Sequence, residues 1–88
     1  MKLTRGRERL AALEPGGDAS RPIEVESASQ VEPHALAATC LRCNGTNRLE
    51  EHAAVTAEGQ LLRVAHLRCA QCGARRAMWF RIVPRAHN

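Results

Sequence analysis

Four cysteines are the residues of this chain with the clearest chemistry: Cys40 and Cys43, then Cys69 and Cys72. Two residues separate the members of each pair, and 25 residues separate the pairs. The short spacing lets both sulfurs of a pair reach one tetrahedral metal ion. Asn44-Gly45 and Gly73 follow the second cysteine of each pair. These residue types accept the positive φ of a tight turn, so the backbone can fold back and aim N–H groups at the sulfurs. Two such turns supply the four thiolates of a closed structural Zn2+ site. The intervening segment exceeds the roughly 15–20 residues of the commonest four-cysteine zinc pattern. Two strands and a turn fill it.

Thiols have other uses, and the chain argues against most of them. No secretory signal or apolar membrane span is visible: the residues after Met1-Lys2-Leu3 are mostly charged. A cytoplasmic location is therefore expected, and thiols stay reduced there, which disfavours disulfides. A redox-active dithiol needs a strand, the cysteine pair and a helix in succession, and that context is missing. Of His34, His52, His66 and His87, only His66 is near a cysteine, three residues before Cys69. Four thiols leave it no ligand role, so it is expected as a strand residue or as a donor to a sulfur.

The elements that must hold the cysteines read as follows. Residues 47–56 form a strand, Ala57-Glu58-Gly59-Gln60 a turn, and residues 61–68 a second strand. Leu62, Val64 and His66 alternate with Leu61, Arg63, Ala65 and Leu67. Residues 75–83 form a third strand, with Met78, Phe80 and Ile82 facing the core and Ala77, Trp79, Arg81 and Val83 facing away. Pro84 ends it. Residues 1–13 carry at most a short helix over 5–13, capped by Thr4. Residues 14–33, punctuated by Pro15, Gly16, Gly17 and Pro22 and acidic at Glu24, Glu26 and Glu32, read as a flexible linker. Ile23 and Val25 are isolated apolar residues there, with an edge strand as the lesser reading. Residues 34–88 form the folded unit.

With the cysteine pairs and the hairpin in view, residues ~40–83 resemble a zinc ribbon, a three-stranded antiparallel sheet with two cysteine turns at one end. The resemblance implies that Cys40, Cys43, Cys69 and Cys72 bind one structural zinc. It implies little about task, because such ribbons serve in polymerase subunits, elongation factors and ribosomal proteins. Elongation-factor ribbons carry an acidic pair at the hairpin tip; this tip has only Glu58. Rubredoxins resemble the chain in cysteine spacing, and an iron electron carrier is the alternative reading. They are acidic and aromatic-rich, whereas this chain is basic with one Trp and one Phe.

Length and charge set the frame. Eighty-eight residues allow one small domain, and an Ala-rich, aromatic-poor chain of that size needs a staple such as a metal. The formal net charge is +4, with residues 40–88 carrying +5. Four thiolates and a Zn2+ together bring about −2, and Arg42, Arg68, Arg75 and Arg76 stand beside the cysteines to offset it. The expected protein is a small zinc-binding adaptor, not an enzyme, that takes a protein or a nucleic acid as partner and neither a membrane nor a small-molecule substrate. The expected contact surface is Arg63, Arg75, Trp79 and Arg81, where guanidiniums flank an indole.

Overall fold

A computed structural model describes residues 13–57 and 59–84 of the chain. The helix expected over 5–13 lies almost wholly outside the described residues, as does His87.

Alternating apolar residues produce the hairpin. Strand β2 (Asn47–Ala57) pairs antiparallel with β3 (Gln60–Cys69), and Ala57 faces Gln60 across a turn in which Gly59 takes φ 75°. Strand β4 (Arg75–Ile82) pairs antiparallel with the other edge of β3. Strand β3, central between β2 and β4, has both edges paired and is buried on both faces. Leu62 and Val64 are buried on one face of β3, Ala65 and Leu67 on the other.

The sheet has four strands, where three were expected. Strand β1 (Ile23–Val25) runs parallel to β4 at the sheet edge, with Ile23 opposite Phe80 and Val25 opposite Ile82. It belongs to the stretch expected as a flexible linker. Two apolar residues are too few to announce a strand by periodicity. Here β4 offers them an open edge and an apolar neighbour, and Val25 joins the core. Two further backbone bonds fasten the segment, Val83 N–H to Val25 O at 2.7 Å and Trp79 N–H to Gly16 O at 2.9 Å.

The same stretch then covers the sheet. A 3-10 turn (Ala28–Gln30) leads into helix α1 (Val31–Leu36). Gln30 Oε1 accepts from the Glu26 N–H at 2.6 Å and the Ser27 N–H at 3.3 Å, which fixes the approach to the helix. Val31 and Ala35, one helical turn apart, are both 0% exposed. They pack with Ala65, Leu67, Met78 and Phe80. Burying a side chain the size of Phe80 contributes about 1.5–3 kcal/mol. The core face of β4 is thus the Met78 and Phe80 face, with Ile82 partly buried beside it. No helix among the described residues is long and apolar enough to cross a membrane.

Candidate metal centre

The two cysteine pairs sit at one end of the sheet on turns of matching construction. In the first, Cys40 N–H donates to Gly45 O at 2.9 Å and Asn44 N–H donates to Cys40 O at 2.9 Å. In the second, Cys69 N–H donates to Ala74 O at 2.8 Å and Gly73 N–H donates to Cys69 O at 3.0 Å. The same offsets from the leading cysteine recur in both turns. Asn44 (φ 61°) and Gly73 (φ 78°) occupy equivalent positions in the left-handed region, which Asn and Gly enter most readily. One turn leaves β3 and enters β4. The other is held by the bridge between Thr39 and Thr46 and by Ala70 N–H donating to Thr46 O at 2.9 Å. Asn47, buried at the start of β2, donates from Nδ2 to Ala38 O at 3.1 Å and ties the end of the helical segment to the same corner.

This construction brings four sulfurs together. Cys40 Sγ lies 3.6 Å from Cys72 Sγ, and Cys43 Sγ lies 3.4 Å from Cys69 Sγ. All four fall within 4.8 Å of one another. Sulfurs held ~2.3 Å from one tetrahedral ion stand about 3.8 Å apart, so the cluster has the dimensions of a four-thiolate site. The cysteines are free thiols. Each turn contributes one buried sulfur, Cys40 and Cys69, and one exposed, Cys43 and Cys72.

The backbone favours thiolates at the buried positions. Gln71 N–H and Cys72 N–H point at Cys69 Sγ from 3.3 Å and 3.4 Å. The Cys72 amide is the strongest influence, and the Cys69 thiol is drawn down to about 6. Burial pushes Cys40 up, but the Arg42 and Cys43 amides outweigh it and leave that thiol below its ordinary value. Cys43 behaves in the opposite way. The Gly45 amide pulls it down, yet Cys69, burial and the remaining two sulfurs together push it up to about 12. Four sulfurs this close resist carrying four negative charges by themselves, so the donor set fits a divalent cation.

Arginines surround the cluster. Arg48 faces Arg68, and Arg68 faces Arg75, in one row across three strands. Like charges directly opposite destabilise a sheet, so the row needs a counter-charge. A bulge between Leu49 and Glu51 provides one. It sets Glu50 3.4 Å from Arg75 Nε and 3.9 Å from Arg68 Nη1. The thiolates provide more.

The other residues singled out from sequence do not form one patch. Arg75, Trp79 and Arg81 share a face of β4 by strand alternation, but Arg63 is opposite Phe80 and so lies on the core side. Arg81 is engaged with Glu24 of β1 and contacts Gln60 Oε1 at 3.4 Å. His66 Nε2 points to Glu51 Oε1 at 4.0 Å and to no sulfur. Sequence reasoning named Gly45 only as a turn residue and missed Gln71, and the two meet where the turns touch: a Cβ on Gly45 would lie 2.7 Å from Gln71 Oε1.

The chain matches no protein-family model, no curated protein and no solved structure.

Proposed function

We propose that the four cysteines hold one structural Zn2+ and that the chain is a zinc-ribbon-type binding module, not an enzyme. The observation that carries this reading is the convergence of four sulfurs within 4.8 Å at the end of a small sheet. With every sulfur engaged on one ion, no coordination position stays open for a substrate. Zinc is preferred to iron because the chain is basic and poor in aromatics, unlike the rubredoxins with which it shares cysteine spacing. A reducing compartment such as the cytoplasm suits reduced thiols. The metal end gathers Arg42, Arg48, Arg68, Arg75 and Arg76, a charge pattern that suits a phosphate- or carboxylate-bearing macromolecule. The test is metal analysis of protein purified without added metal. One colourless zinc per chain supports the reading; a stoichiometric, visibly absorbing iron centre would replace it with an electron carrier.

A further inference from the structure

We infer that a cleft along the open end of β4 binds one nucleotide of a single-stranded nucleic acid, its base against Trp79 and its phosphate among Arg75 and Arg76. The cleft has a volume of about 290 Å3 and is lined by Trp79, Arg75, Arg76, Arg42, Cys40 and Gly17, among others. That volume lies near the lower limit of small-molecule sites, so it admits one nucleotide and no folded element. No carboxylate lines it, although three arginines do. Even against the thiolate of Cys40, three guanidiniums favour an anion.

The strand geometry explains why a cleft exists there. Strand β1 covers β4 only from Phe80 to Ile82. Trp79 N–H points away from β3, to Gly16 O. By the two-residue period of a strand, the N–H groups of Ala77 and Arg75 point the same way, beyond the end of β1. These amides are further donors for a phosphate. Because the cleft opens at an edge, side chains from both faces of β4 reach it, Trp79 from one and Arg76 from the other.

The charges of Arg75 and Arg76 are available to a ligand. Among the described residues Arg76 has no carboxylate partner. Among the described residues Arg75 has Glu50 as its carboxylate partner, at 3.4 Å, with its own side chain 71% exposed. So exposed a pair holds weakly and yields to a phosphate. Trp79 is half-buried, which leaves ring surface for a base to stack upon. An acidic peptide would satisfy the arginines but would leave the indole without a flat partner, so the aromatic favours a nucleotide. The inference rests on the zinc reading in one respect: the turn carrying Cys40 forms a wall of the cleft, and the metal holds that turn.

Trp79 is the single tryptophan of the chain, so its fluorescence reports on the cleft directly. Zinc-loaded full-length protein is titrated with hexauridylate, with inorganic phosphate and with hexaglutamate. Saturable quenching by hexauridylate is expected, weakening as salt rises. Arg76→Gln should weaken binding about tenfold, and Trp79→Leu, followed by anisotropy of a labelled hexamer, should weaken it by a similar factor. Arg63→Gln, which removes the same charge from the opposite face of the sheet, should leave it unchanged. Zinc content is measured for each variant, so failure of the metal reading is seen separately from failure of the cleft. The inference is overturned if hexauridylate gives no quenching. Equal binding of hexaglutamate would show an acidic-protein site instead, and equal binding of phosphate would show an anion site without a base. Equal damage from Arg63→Gln would show diffuse charge attraction.

Discussion

Gly45 abuts Cys69: a Cβ built on Gly45 would stand 3.0 Å from the Cys69 sulfur. The first cysteine turn therefore touches a ligand of the second through bare backbone. That contact permits sulfurs 26 residues apart in sequence to lie 3.4 Å apart in space.

Gly45→Ala should accordingly weaken metal binding, by roughly tenfold, the low end of what outer contacts of metal ligands contribute. Competition with a chromophoric chelator measures it. Gly59→Ala is the control. Gly59 sits at φ 75° with open space around it, so Ala there costs about 1 kcal/mol of backbone strain and should leave metal affinity alone. Equal affinity for wild type and Gly45→Ala would mean that the two turns have slack.

Cys43→Ser and Cys69→Ser should each abolish stoichiometric zinc and unfold the sheet over residues 40–83. Metal binding and folding are one equilibrium in domains this small, with the ion contributing on the order of 10 kcal/mol near neutral pH. A chelated protein that keeps dispersed amide resonances would contradict this.

Metal release should be acid-driven, because protons compete with the ion for each thiolate. The Cys69 thiol is lowered from 9.0 to about 6 in the folded chain. The stability its thiolate contributes is complete above 9.0 and is lost as pH falls through about 6. Cys43 acts with the opposite sign: its thiol is raised to about 12, so in the metal-free chain it favours folding only while protonated. A bound divalent cation removes that opposition. Zinc release followed with a colorimetric probe should coincide with loss of the sheet signal in circular dichroism. Release that leaves the sheet intact would uncouple the two.

Val31→Ala should destabilise the whole sheet by about 2 kcal/mol, because it leaves a void against Phe80 and Leu67. Amides of Val25 and Val83 should exchange as slowly as those of β3. Fast exchange at Val25 with an unaffected β3 would detach β1 and α1 from the core.

The Arg81–Glu24 pair should contribute little. Both side chains are substantially exposed, 39% and 57%, and exposed pairs contribute about 0–1 kcal/mol. A double-mutant cycle measured by urea unfolding tests this; a coupling well above that range would make the pair a structural tie of β1 to β4.

Much of this protein was determined by the sequence alone. The two cysteine pairs carry their own turn residues, so the ligand set follows from local spacing. The alternation in residues 61–68 and 75–82 is likewise local, and it correctly separated Met78 and Phe80 from Trp79. Tertiary structure decided what depends on partners distant in the chain. Ile23 and Val25 are a strand only because β4 presents an open edge 57 residues later, where Phe80 meets Ile23. The side of the sheet taken by Arg63 depended on the β3–β4 register, and the aim of Glu50 depended on a bulge that no local pattern announces. The cleft beside Trp79 exists because β1 begins only at Ile23, opposite Phe80, while β4 starts further back, near the metal end. The periodicity of a segment fixes which side chains share a face, whereas the energy that holds a short strand, and the gap where it stops, come from the neighbour it meets.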